Sequence, residues 1–197
     1  MAAGGRAARM KTTHASKRSG ARGGMTLLEV MVGMAILATA YGAFSLSIVK
    51  SMQAARTDKE MSLATAAARQ TLAEVQASAF DQVFALYNSN PADDPGGAGT
   101  APGSGVLVLG LDPQPGDLDG FVGEVIFPSV TGGVSEELRE DVESVALGTP
   151  RDLNGDGAVD ALDHSGDYQI LPVVVRFRWQ GAGGPASVEF RTSVVNQ

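Results

Sequence analysis

The sequence predicts an α+β protein, a long N-terminal helix whose first half spans a membrane, packed on a small antiparallel β-sheet. Three observations lead there. From Leu27 to about Asn88 no proline occurs, and an apolar run passes directly into an alanine-rich amphipathic one. Residues 169–195 then hold two stretches of near-alternating apolar and polar side chains around a glycine-rich turn, the pattern of a half-buried hairpin. Between these regions, Asn88–Gly105 carries three prolines and five glycines and ends any helix.

Charge is divided as sharply as hydropathy. The first 24 residues hold six basic side chains (Arg6, Arg9, Lys11, Lys17, Arg18, Arg22) and no acid. Residues 25–197 hold nine basic and 22 acidic side chains, a net charge of −13. A basic tail on one side of an apolar run and an acidic body on the other fit a cytoplasmic N-terminus and an exported bulk. An acidic exported part is a poor match for nucleic acid, which needs a basic face. The chain has no cysteine, so catalytic thiols and thiolate-bound zinc are excluded and core packing, helped at most by an oxygen-bound metal, must hold the fold. At 197 residues there is room for one domain of ordinary size and an anchor.

The organisation predicted from these shifts is a leader at 1–24, a membrane-spanning helix at 25–49, its amphipathic continuation at 50–89 and a β domain at 90–197. Residues 26–49 would span about 36 Å as a helix, enough to cross a hydrocarbon core. Gly33, Ala35, Ala38, Ala40, Gly42 and Ala43 supply small positions that let helices approach closely. From Lys50 to Asn88 neither Gly nor Pro occurs, and Met61, Ala68, Leu72, Val75, Ala79, Val83 and Leu86 form one apolar stripe. The two halves together predict a helix of roughly 95 Å. Beyond the Gly/Pro loop, Val106–Leu109, Phe121–Phe127, Gln169–Trp179 and Ala186–Val195 read as strands. Leu138–Leu147 suits helix or strand equally, since Glu136, Glu137, Arg139 and Glu140 favour a helix start. In the C-terminal hairpin Ile170, Val173, Val175, Phe177 and Trp179 form the predicted inner face, with the turn at 181–185.

The apolar run Leu27–Val49 contains a single charge, Glu29. A charge at mid-helix in hydrocarbon costs about 2.5–3.5 kcal/mol, and somewhat less near an end, so it marks a function and requires a partner. The stretch Gly23-Gly24-Met25-Thr26-Leu27-Leu28-Glu29 behind a basic leader resembles the prepilin signal of type IV pilins and type II secretion pseudopilins. The resemblance implies cleavage after Gly24 by a cytoplasm-facing prepilin peptidase, methylation of the new amine on Met25, and a glutamate, Glu29, as fifth residue of the mature chain. Met25 stands where the family most often has Phe. A pilin-like fold would follow, with the Val-Arg-Phe-Arg-Trp strand and the Thr-containing strand after it most like minor pilins or minor pseudopilins. The implied life cycle runs from the bacterial inner membrane, single-pass with the C-terminal domain periplasmic, into a pilus or pseudopilus of like subunits. On physical grounds alone, a protonated amine on Met25 of one subunit is a natural partner for Glu29 of the next, because opposite charges attract far more strongly away from water.

Other readings of the same N-terminus are a secretory signal cut after Ala38-Thr39-Ala40, an Arg-rich transit peptide and a plain uncleaved anchor. The first leaves Glu29 inside the apolar segment and continues the hydrophobic run past the cut.

One stretch carries metal chemistry. Residues 152–163 match a twelve-residue calcium loop at every liganding position: Asp152, Asn154 and Asp156 at the first, third and fifth, Gly157 at the sixth, the Ala158 carbonyl at the seventh, Asp160 at the ninth and Asp163 at the twelfth. The twelfth ligand is Asp where an EF-hand has Glu, and Pro150 argues against an entering helix, so the loop is similar to those of dockerins. The expected cofactor is a structural Ca²⁺. The competing reading is a solvated Asx-turn loop. No Gly-flanked nucleophile or phosphate loop occurs, and His164 has only adjacent Asp163 beside it, so no enzyme is predicted. The alternative in a different class is a membrane-anchored or secreted calcium-binding module.

Overall fold

The computed structural model describes residues 24–132 and 135–196, so most of the basic leader lies outside the described residues. The described chain divides into two compact units, one ending at Leu46 and one beginning at Ser47.

Helix α1, Leu27–Ala77, is 51 residues long and has Glu29 in its first turn. The helix stops twelve residues before the expected end at 89, although no glycine or proline lies between Ala77 and Asn88. At Ser78 the backbone amide still reaches the carbonyls of Glu74 and Val75, and its hydroxyl donates to the Glu74 carbonyl at 2.9 Å. A serine hydroxyl bonded to its own helix competes with continuation, and Ala79 turns to extended geometry with ψ 129°. A 3₁₀ turn, Phe80–Gln82, and a short helix α2, Val83–Tyr87, follow. Tertiary contacts fix this break: the Tyr168 hydroxyl donates to the Phe80 carbonyl at 2.5 Å, and the two rings lie 4.9 Å apart.

The second unit is built on a four-stranded antiparallel sheet in the order β1-β2-β5-β6: β1 Gly105–Val106, β2 Gly123–Ile126, β5 Ile170–Gly181 and β6 Gly184–Val195. A separate two-stranded piece pairs β3, Ser129–Gly132, with β4, Ser135–Leu138. The long hairpin β5–β6 is the predicted one, with its turn corrected. Gly181 pairs with Gly184, leaving a two-residue connection, and Pro185 lies inside β6 opposite Gln180. Proline is tolerated there because β6 is an edge strand that need not donate outward at every position. The turn is also held from α1, where the Glu60 carboxylate accepts the Ala182 amide at 3.2 Å.

The core lies between the inner face of this sheet and one stripe of α1. Leu171, Val173, Val175, Phe177 and Trp179 of β5 meet Val125 of β2 and Ala64, Ala68 and Val75 of α1, with Phe84 of α2 edge-on to Phe127 at 5.4 Å. Two positions of the expected stripe are wrong: Met61 and Ala79 are exposed, while Ala64 and Thr71 are buried. The true stripe, 64, 68, 71 and 75, has small residues where the helix lies on bulky strand side chains. On β5 the buried alternation runs through Leu171, with Ile170 half-buried, and Val174 on the opposite face is buried as well. Gly123 pairs with Phe177, and a side chain there would collide with the Phe177 ring, so glycine lets the aromatic lie flat across β2.

Leu138–Leu147 is neither of the two elements it suggested, for only Leu138 lies in a strand. Two acids in and just before it reach other parts of the fold, while Asp141 pairs locally with Arg139. Glu136 accepts the Ser89 amide at 2.7 Å and the Ser129 hydroxyl at 2.5 Å, joining β3 and β4 to the loop after α2. Glu140 turns inward to the segment 152–160.

Candidate processing site and metal loop

Gly24, Met25 and Thr26 precede α1 directly. Thr26 caps the helix: its hydroxyl accepts the Glu29 amide at 3.3 Å, and its carbonyl accepts the Val30 amide at 3.2 Å. Thr-Leu-Leu-Glu is the spacing of a capping box, which supplies a local reason for an acid at this position, and an acid in a first turn also favours the helix dipole. The Glu29 carboxylate itself is exposed and makes no hydrogen bond or ion pair with the described residues. Capping therefore accounts for the Thr26 hydroxyl and leaves the carboxylate available to another chain.

Around it the helix surface is apolar on every side. Leu27 is 81% exposed, Leu37 70% and Phe44 65%, and Val30, Met31, Met34, Ile36 and Leu46 are exposed with them. The described residues contain one helix long and apolar enough to cross a membrane, and its apolar window buries nothing within the chain. Surface of that extent needs lipid or other helices to cover it.

The loop 152–163 is held by its own acids. Asp152 accepts the Gly155 amide at 2.5 Å and the Gly157 amide at 2.9 Å, Asn154 accepts that of Asp156, and Asp156 accepts that of Ala158. Gly155 and Gly157 take φ of +80° and +89°, the left-handed region that glycine enters at no steric cost. Asp163 is engaged with other partners: one oxygen accepts the Leu138 and Ser165 amides, and the other accepts the Ser165 hydroxyl.

Two residues that sequence reasoning left aside organise the loop from beneath. Glu140, 1% exposed, accepts the Leu153 amide at 2.6 Å and the Asn154 amide at 3.2 Å on one oxygen, and the Asp160 amide at 3.2 Å on the other. His164, also buried, has Asp160 at 3.1 Å from Nε2 and Asp167 at 3.0 Å from Nδ1, with Glu140 at 3.9 Å. Burial pulls the imidazole pKa down, but the hydrogen bonds to Asp160 and Asp167 and the charge of Glu140 outweigh it, and the net shift is upward. Asp160 is held below the ordinary carboxylate range, first by the Leu162 amide and then by His164. Glu140, Asp160 and His164 bring one ligand atom each within 4.8 Å of one another. Nothing local in the sequence announces Glu140, because its partners lie 13 to 20 residues away.

A capped apolar helix behind a glycine, continued into an acidic α+β domain, is a pilin-like arrangement. The prokaryotic N-terminal methylation motif matches residues 20–40, which include Gly24, Met25 and Glu29. The chain thus carries a type IV pilin-like prepilin signal, and proteins with this motif are structural subunits and not enzymes. No curated protein matches the chain in sequence, and no solved structure matches it in fold.

Proposed function

We propose that the protein is a minor pilin or pseudopilin, trimmed after Gly24 by prepilin peptidase, methylated on Met25 and assembled through its N-terminal helix into a type IV pilus or a type II secretion pseudopilus. The observation that carries this reading is a carboxylate, Glu29, with no partner among the described residues, one helical turn from the amine that cleavage at Gly24 would create, on a helix whose apolar residues are exposed. Before assembly the subunit crosses the inner membrane once, with its leader in the cytoplasm and the acidic domain in the periplasm. In the filament, Glu29 of one copy meets the Met25 amine of another, and the apolar belt exchanges lipid for neighbouring helices. Gly24→Ala tests the processing step: the variant should accumulate in the membrane as the longer, leader-bearing chain. Normal trimming of that variant would contradict the assignment of the cut.

The loop 152–163 is proposed to take a structural Ca²⁺. Its donors are hard oxygens, from Asp152, Asn154, Asp156, Asp160 and Asp163 with the Ala158 carbonyl, and the glycine at the sixth position has the backbone such loops use. Asp163 would have to give up Ser165 to join them. The ion would neutralise a crowded set of carboxylates in a chain without disulfides. At a hundred times its dissociation constant, calcium would add about 2.7 kcal/mol. That corresponds to a rise of roughly 5–10 °C in Tm for a domain of this size. Thermal melts of the detergent-extracted protein in calcium and in chelator check this, and superimposed melts would leave the loop as an ion-free Asx-turn segment.

A further inference from the structure

The sheet ends in an open strand of unusual length. Residues 178 and 180 of β5 donate toward the β2 side, to the Val122 and Asp112 carbonyls, so the odd-numbered residues of β5 face β6. With Trp179 opposite Ala186, the even-numbered residues of β6 point their backbone groups at β5, and Ser187, Glu189, Arg191 and Ser193 point theirs outward. Among the described residues no strand pairs with that edge. Twelve residues without a partner are a template for another chain, and the single outward proline, Pro185, lies at the end of the strand and leaves 187–193 free.

We propose that this edge is an interface between two copies of the protein, in which β6 pairs antiparallel with β6 of the second copy about a two-fold axis at Phe190. Charge selects the register. An axis at Phe190 sets Glu189 of each copy opposite Arg191 of the other, and Ser187 opposite Ser193, all through outward-facing groups. An axis at Glu189 or Arg191 sets like charges face to face, and one at Val188 or Thr192 leaves both charges without an opposite. The chosen register also extends an existing row. Arg176 stands opposite Glu124 in the strand register and holds Glu189 at 3.1 Å, and Glu189 also holds Arg191 of its own chain at 2.8 Å, so Arg191 of the second copy would add a cross-strand neighbour of opposite charge at the end of this row. On the other face Val188, Phe190, Thr192 and Val194 are half-buried, and their open flanks would be covered, with Phe190 against its own copy. Four residue pairs contribute about eight backbone hydrogen bonds. The contact is isologous and closes at two copies, so it is distinct from the head-to-tail packing that builds a filament.

The chain has no native cysteine, which makes the register directly measurable. Full-length Ser187→Cys and Ser193→Cys copies are produced together in membranes, treated with a short bismaleimide and analysed by mass. Both positions are exposed, and the register brings them together only between unlike variants. Dimer should form at least about tenfold more in the mixture than with either variant alone. Adding Arg191→Glu to both copies should cut it roughly tenfold, two attractive cross-strand pairs having become repulsive. The proposal is overturned by absence of dimer in the mixture, by equal dimer from Ser187→Cys alone, or by an adduct to a different protein in place of the homodimer.

Discussion

Glu29→Ala should leave cleavage after Gly24 intact while reducing incorporation into filaments by an order of magnitude or more. The substitution removes a charge from the apolar helix, so membrane insertion becomes easier, by up to about 3 kcal/mol were the acid at mid-helix. Failure would therefore arise after insertion. In the proposed filament what is lost is the partner of the Met25 amine on the adjoining subunit, and truncating one member of a desolvated, hydrogen-bonded charge pair costs about 2–5 kcal/mol. Helix formation should be little changed, since the Thr26 hydroxyl still accepts the amide of residue 29. Comparing trimmed protein in membranes with subunit in sheared filaments separates the steps. Filaments containing the variant at the normal level would show that the carboxylate has no role in assembly.

The second large effect is on stability. Glu140→Ala should lower the unfolding free energy by about 3 kcal/mol, because the buried amide of Leu153 and the half-buried amides of Asn154 and Asp160 lose their acceptor. For a chain of this size that is a fall of roughly 6–12 °C in Tm. Glu140→Gln keeps a carbonyl oxygen for Leu153 and Asn154 but turns an NH₂ toward the Asp160 amide, so it should fall between the two. Circular dichroism melts give the order directly. A Glu140→Ala protein as stable as the parent would mean that the loop's own Asx turns suffice to hold it.

Both residues are single acids, yet they differ in how visible they are from sequence. Glu29 stands out because every neighbour from Leu27 to Val49 is uncharged. Glu140 sits among Glu136, Glu137, Arg139 and Asp141, where one more acid carries no signal, and its meaning comes from a chain reversal that only tertiary structure supplies. The same contrast runs through the fold. The β5–β6 hairpin is legible because one face is buried and the other wet, which forces a period of two. The pair β3–β4 is short, polar and largely exposed or half-buried, and imposes no such pattern. The end of α1 at Ala77 is invisible for a related reason: Ala and Gln around it are good helix formers, and the break is decided by Phe80 and Tyr168 docking. At the loop, the spacing of Asp152, Asn154, Asp156 and Gly157 is written in the sequence, while the buried pair Glu140 and His164 that supports it is not.

The intact mass of the protein taken from its native membrane tests the central claim most directly. A chain beginning at Met25 and carrying one added methyl group is predicted. A mass corresponding to a start at Met1, or to a start at Tyr41 with the apolar segment removed, would contradict it.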